Sequence, residues 1–124
     1  MTKAPKAELR PLVWIGSSKR DLMALPSRVV DTFGYALHLA QIDSRHQDAK
    51  IMRGFGDASV LEVVESDRSG TYRAIYSIRF EAAVFVLHVF QKKSKSGSKT
   101  PKPDLRLIEE RLKAAQKYAE ELQK

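Results

Sequence analysis

The stretch SVLEVVESDRSGTYRAIYSIRFEAAVFVLHVF, Ser59–Phe90, holds three β-rich runs separated by links too short to form a helix. Ser59–Glu65 and Thr71–Phe80 are dense in Val, Ile, Leu, Tyr and Phe. Between them Ser66–Gly70 supplies a short Gly-containing hairpin loop. Glu81 and Ala82 make an equally tight link into Ala83–Phe90. Strands joined so closely cannot cross over and must run antiparallel, which predicts a three-stranded meander.

Upstream, Arg10–Ile15 (RPLVWI) reads as a short first strand. Ser18-Lys19-Arg20-Asp21 has the form of a helix N-cap with an acidic residue three positions on. Pro26 disfavours helical backbone at Leu25, so the first helix ends there; a second helix starts at Pro26, where proline is tolerated. Val29, Val30, Phe33, Leu37 and Ala40 fall on one face of it. Residues 44–58, with Gly54 and Gly56, read as a loop. After the strands comes a Gly/Ser/Pro stretch carrying Lys92, Lys93, Lys95, Lys99 and Lys102. Asp104 then opens a last helix whose stripe is Leu105, Ile108, Leu112, Ala115, Ala119 and Leu122. The expected order is β-α-α-β-β-β-α, an α+β domain with helices packed on a curved antiparallel sheet. It spans residues 9–124 behind a flexible tail at residues 1–8.

The 124 residues suit one domain. No apolar run approaches the ~18 residues of a membrane helix, and Met1–Arg10 lacks the apolar centre of a secretory signal. The absence of cysteine excludes disulfides and thiolate metal sites. A cytoplasmic setting without membrane contact is expected. The net charge of +7 is uneven: residues 50–103 carry ten Lys/Arg against five Asp/Glu, whereas residues 104–124 carry five of each. Cations gathered on the strands and their loops suit a polyanion such as a nucleic acid. Solubility or an acidic protein partner are the alternatives.

Several separate motifs, in order, carry a resemblance. They are FGYALHLAQ (Phe33–Gln41), KIMRGFGDASVLEVVE (Lys50–Glu65), TYRAIY (Thr71–Tyr76), VLHVFQKKSKSGSKTP (Val86–Pro101) and IEERL (Ile108–Leu112). Together, over roughly residues 9–115, the chain resembles the HigB-like, phage-derived branch of the RelE/ParE toxin superfamily. The resemblance implies a compact RelE-like fold and the toxin of a type II toxin–antitoxin module. It implies a ribosome-dependent mRNA endoribonuclease that inhibits translation by 2′-OH attack, with no metal or organic cofactor. The implied partners are a helix-turn-helix antitoxin, the ribosome with its mRNA and rRNA, and operator DNA through the antitoxin alone. Two other readings stand beside it. One is a non-enzymatic, ParE-like toxin blocking a protein target such as gyrase; the other is an inactive phage-derived RNA-binding module.

Metal-free RNA cleavage needs a proton acceptor for the 2′-OH, charge stabilisation on the phosphoryl oxygens, and a proton for the 5′-oxygen. Arg73 is the candidate for the second task, because a guanidinium donates bidentately to phosphate and stays charged. Alternation puts Arg73 on one face with Ile75 and Ser77, opposite Tyr72, Ala74 and Tyr76. A structural Arg73–Glu62 pair across the hairpin is the bland alternative, and Glu62 orienting the guanidinium would reconcile the two. By motif matching, Lys92 and Lys93 are catalytic or phosphate-contacting candidates. Lysine ordinarily titrates near 10.4, so charge stabilisation is their safer role. Lys50, Arg53, Lys95, Lys99 and Lys102 are candidate RNA contacts. Lys50 and Arg53 read equally well as a solvated loop, and Phe55 as a core anchor or a base-stacking ring.

The histidines show no metal-ligand spacing. His88 would share a face with Val84, Val86 and Phe90, as a core or sheet-face residue. His46 is expected to be more exposed than His38. Trp14 and Tyr35 read as core aromatics. The proton donor is left unassigned, with Tyr72, Tyr76 and Tyr118 as weak candidates.

Overall fold

The computed structural model of the protein describes residues 9–92 and 99–123. Its elements are β1 (Leu12–Trp14), α1 (Ser18–Met23), α2 (Ser27–Gln41), β2 (Lys50–Ile51), β3 (Val60–Asp67), β4 (Gly70–Ser77), β5 (Val84–Lys92) and α3 (Lys102–Leu122). They build one five-stranded sheet in the order β1-β5-β4-β3-β2. The α+β class and the expected succession of elements hold, with two additions. The stretch expected as a loop, residues 44–58, contains the two-residue strand β2, which pairs antiparallel with β3 through Lys50↔Glu62 and Ile51↔Leu61. The other edge is parallel: β1 lies alongside β5, with Val13 opposite Phe85. No helix among the described residues is long and apolar enough to cross a membrane.

The sheet is covered on both faces. On one side Leu22 of α1 and Val29, Phe33, Ala36 and Leu37 of α2 pack against Leu61, Val63, Ala74, Tyr76, Val86 and Val89. On the other, Ile108, Leu112, Ala115 and Ala119 of α3 pack against Val60, Ile75, Phe85 and Leu87. Each of the larger side chains contributes about 1.5–3 kcal/mol by leaving water. Double coverage explains why β5 reads as a continuous apolar run rather than an alternation.

That run conceals a β-bulge. Ile75 pairs with His88 but Tyr76 pairs with Val86, so Leu87 has no opposite number on β4. At such an insertion two successive side chains leave the same face. Leu87 and His88 therefore both turn towards α3, and everything after them is shifted by one. His88 and Phe90 consequently lie on the α3 face, while Val84 and Val86 lie on the α2 face. The simple alternation expected for His88 fails at this residue.

The ends of the elements follow local chemistry. The β3–β4 turn is tighter than expected: Asp67 faces Gly70, and the Asp67 carboxylate accepts the Ser69 backbone N–H at 2.7 Å. The Ser69 hydroxyl first, then Arg28 of α2 and that backbone N–H, hold the Asp67 carboxyl down at about 2. The α1 cap sits one residue early, at Ser17, whose hydroxyl donates to Asp21 at 2.6 Å. Ser18 is instead buried, its hydroxyl donating to the Val86 carbonyl at 3.1 Å. α2 ends with Asp43 in left-handed backbone (φ 60°), the Ser44 N–H reaching back to Leu39 O at 2.7 Å and the Asp43 N–H to Ala40 O at 3.1 Å. This is the reciprocal stop that satisfies a helix's last carbonyls.

Candidate functional site: one end of the sheet beneath the start of α3

Directly opposed residues of an antiparallel ladder share a face, so the register assembles three rows on the side that α3 covers. Ser66, Thr71 and Lys92 form the first; Val64, Arg73 and Phe90 the second; Lys50, Glu62, Ile75 and His88 the third. α3 packs over Ile75, Phe85 and Leu87 and begins at Lys102, so its first turn stands beside the third row. Three residues expected to act together, Arg73, Lys92 and Glu62, thus meet on neighbouring rows, and Lys50 joins them through β2.

Arg73 is buried, at 5% exposure, and its Nη1 donates to Glu62 Oε2 at 2.8 Å. The two sit diagonally across β3 and β4, a separation that long side chains span readily. The pair anticipated from the hairpin therefore forms. The Thr100 hydroxyl also approaches Glu62 Oε2, at 3.5 Å, bringing the segment before α3 over this corner. Lys92 does not trail the strand but ends it, largely buried in the row next to Arg73. Lys99 is exposed. Lys102 belongs to the first turn of α3, which opens two residues before Asp104, so it is not part of a loop. Lys93 and Lys95 lie outside the described residues, as does the tail at residues 1–8.

His88 is the group that sequence reasoning placed on the wrong side. Its Nε2 bonds Asp104 Oδ1 at 2.7 Å, and its ring stacks on Phe90 with centroids 4.5 Å apart and planes 14° from parallel. Phe90 is in turn Arg73's direct neighbour on β5. Asp104 lies in the first turn of α3, where the helix dipole favours a carboxylate. With Nε2–H donated to Asp104, the lone pair is on Nδ1, which is buried and has no partner among the described residues. The available signal was the motif VLHVF, but only the bulge reveals which face its histidine takes.

Lys50 and Arg53 are both exposed, at the far edge. The loop between them and β3 is braced by Arg79. Its Nε donates to the Ser59 hydroxyl at 2.9 Å, and its Nη2 to Phe55 O at 2.6 Å and Asp57 Oδ1 at 3.1 Å. The Ser59 hydroxyl and backbone N–H, and then Arg79, hold the Asp57 carboxyl below the usual carboxylate range. Phe55 packs against the α3-side core, which fits an anchor better than a free stacking ring. His46 is buried rather than exposed, and Tyr35 is 56% exposed rather than part of the core. Trp14 is half-buried against the α2-side core. Tyr76 is wholly buried on the α2 face, which removes it from the site. The Tyr72 hydroxyl is bonded to Ser69 at 2.6 Å on that same face. Tyr118 sits near the far end of α3, edge-on to Phe85. Among the described residues, no three His, Asp or Glu side chains are grouped to hold a metal ion.

The sequence matches the family model described as "Phage derived protein Gp49-like (DUF891)" over residues 20–113. The structure is similar to that of the E. coli toxin RelE, a double arginine-to-alanine variant in the free state. The TM-score is 0.55 and the identity 20%, over 86% of this chain and 98% of that one. At that identity the likeness is one of fold. A second solved structure, the RelBE2 toxin–antitoxin complex of Mycobacterium tuberculosis, aligns with a TM-score of 0.41 and 25% identity, over 73% of this chain and 100% of that chain. No curated protein matches the sequence at a significant level.

Proposed function

The chain belongs to the phage-derived Gp49-like family, and on that premise we propose that it is the toxin of a type II toxin–antitoxin module that cleaves mRNA on the ribosome. One observation carries the proposal. The register sets Lys92, the Glu62-held guanidinium of Arg73 and the Asp104-held imidazole of His88 on three adjacent rows of one face. That is a charge-stabilising pair beside an imidazole whose second ring nitrogen can accept a proton and return it.

In this reading the RNA backbone displaces the Thr100 contact, the longest in the cluster, and lies along Arg73 and Lys92. The same displacement also uncovers His88 Nδ1, buried in the unbound protein, and this nitrogen takes the proton of the 2′-OH as that oxygen bonds to phosphorus. Arg73 and Lys92 bind the phosphoryl oxygens as their charge grows. The bond from phosphorus to the 5′-oxygen breaks, and the departing oxygen takes a proton from solvent or from the newly protonated His88. The products are a 2′,3′-cyclic phosphate and a 5′-hydroxyl. Asp104 fixes the ring and stabilises its charged form. Lys50, Arg53 and Lys99, exposed around the rim, hold the flanking RNA, and a helix-turn-helix antitoxin covers the face and brings the complex to its operator in the cytoplasm.

The test is induced expression with mapping of mRNA ends, wild type beside His88→Gln and Arg73→Ala, each checked for folding by circular dichroism. The proposal expects growth arrest with new 5′-hydroxyl ends in translated messages, and loss of those ends in both variants. Ends that persist in both variants would remove the assignment.

The burial of Arg73 against Glu62 favours a second reading, a toxin of the same fold that blocks a protein target without cutting RNA. Growth arrest with intact messages, kept by Arg73→Ala under conditions where that variant folds, is its signature.

A further inference from the structure

On the α2 side of the sheet, where α2 turns towards β2, Tyr35, Leu39, Ser44, Arg45, His46 and Gln47 enclose a cleft of about 390 Å³. That is within the ~300–1,000 Å³ of small-ligand sites. Its walls are fixed: Asp43 stops the helix, and the Ala49 N–H bonds back to His46 O at 3.0 Å. Apart from Leu39, every side chain lining it can donate a hydrogen bond, and none is a carboxylate.

His46 gives the cleft its direction. The ring is buried, and Nδ1 accepts the Asp48 backbone N–H at 3.0 Å. A nitrogen that accepts carries no proton, so in the neutral ring the hydrogen is on Nε2. Nε2 has no partner among the described residues, which leaves it as the donor His46 offers the cleft it lines. The Asp48 carboxylate, 3.9 Å from Nδ1, is not part of the wall. Tyr35 meets His46 edge-on, centroids 5.8 Å apart and planes at 78°, so the imidazole braces a ring that is otherwise exposed. Arg45 is exposed and close enough to the Tyr76 hydroxyl to be felt by it electrostatically.

We propose that this cleft is a subsite for one nucleotide of single-stranded RNA, its phosphate held by Arg45 and His46 Nε2–H and its base stacked on Tyr35. A wall that holds a guanidinium and several donors but no carboxylate selects an anion, and an exposed aromatic ring beside it selects an anion that carries a flat π-face. An acidic peptide would use the donors and leave Tyr35 without a role. The choice of RNA as the polymer rests on the reading above. Lys50 follows His46 closely in the chain and stands on β2 in the row of Glu62, so an RNA strand would pass from cleft to face around that edge.

The whole protein is titrated by NMR with uridine 5′-monophosphate, uridine, inorganic phosphate and hexaglutamate. The nucleotide is expected to shift the Tyr35, Arg45 and His46 signals and to bind better than either of its halves. Tyr35→Ala and Arg45→Gln, both at exposed positions, are each expected to weaken it about tenfold, the worth of one stacked base. Nucleotide affinity unchanged in both variants overturns the proposal, as does hexaglutamate binding the same residues more tightly, or phosphate binding as well as the nucleotide. Message mapping with the wild type separates the two ideas. If the wild type never cuts messages but the nucleotide still binds here, the nuclease fails and the subsite stands; if it cuts messages and the nucleotide does not bind, the reverse holds.

Discussion

Arg111 reaches from α3 across Gly16 to the carbonyl of Leu87, 2.9 Å from its Nη1, so the helix grips the bulged residue of β5, skipped in the pairing with β4. Its Nη2 also donates to the Ser17 hydroxyl at 3.3 Å. Gly16 makes room for this. Its φ is +58°, and a Cβ there would stand 2.9 Å from the guanidinium.

Arg111→Met should therefore lower stability by about 1–3 kcal/mol, the cost of leaving a buried carbonyl unpaired. Gly16→Ala should cost about 1–2 kcal/mol from left-handed backbone alone, and more because it displaces the guanidinium. Urea unfolding of both single variants and the double checks this; the double should cost less than the sum.

The Arg73–Glu62 pair lies largely out of water, so each partner loses a charge-assisted bond when the other is removed. Arg73→Ala should destabilise by about 3–5 kcal/mol and Glu62→Ala by less, with the double variant well short of additivity. Independent, additive losses in a double-mutant cycle would mean that the pair is not coupled.

Tyr76 is wholly buried and its hydroxyl has no partner among the described residues. Tyr76→Phe is expected to stabilise the protein by about 1 kcal/mol at neutral pH, since it removes an orphaned polar group. Burial pushes the phenol up to about 12 from its ordinary 10.0, with Arg45 partly opposing. A raised folded pKa means stability that is complete below the unfolded value and lost as pH climbs from 10.0 through about 12. Wild type should lose stability across that window while Tyr76→Phe loses less, as measured by urea midpoints at stepped pH.

Gly34 lies inside α2 on its exposed side, and a Cβ there meets nothing within 4 Å. Gly34→Ala should stabilise by about 1 kcal/mol through helix propensity alone, read as a higher thermal midpoint. A drop would mean that the position needs its backbone bare.

The three central strands, both long helices and the Arg73–Glu62 proximity were legible in the sequence because each has a period or a punctuating turn. Pro26 marked the break between α1 and α2, and alternation along Thr71–Phe80 put Arg73 on its true face. The bulge at Leu87 was not legible. AVFVLHVF is buried on both sides and has no polar beat to fall out of step, so alternation groups His88 rightly with Phe90 but wrongly with Val84 and Val86. β2 escaped notice because two exposed residues, Lys50 and Ile51, carry no pattern. His46 and Tyr35 exchanged their expected exposures for a related reason. In a polar loop following a helix, the backbone turn at Asp43 decides which side chain is tucked in. The start of α3 at Lys102 was hidden by prolines on either side of that lysine, which suit a first helical turn but look like loop.

The unmatched residue in β5 makes the kink, and not the run of residues alone, a control on sidedness. Were the strand to pair without the bulge at its present length, Leu87 would stand opposite Ile75, and His88 and Phe90 would pass to the helical pair while Val89 and Gln91 came round beneath α3. The contacts made by Val84–Val86 would stay as they are. A chain lacking Leu87 would need no bulge and would keep His88 and Phe90 where they are, so relatives should be compared at this position by gaps as much as by identities.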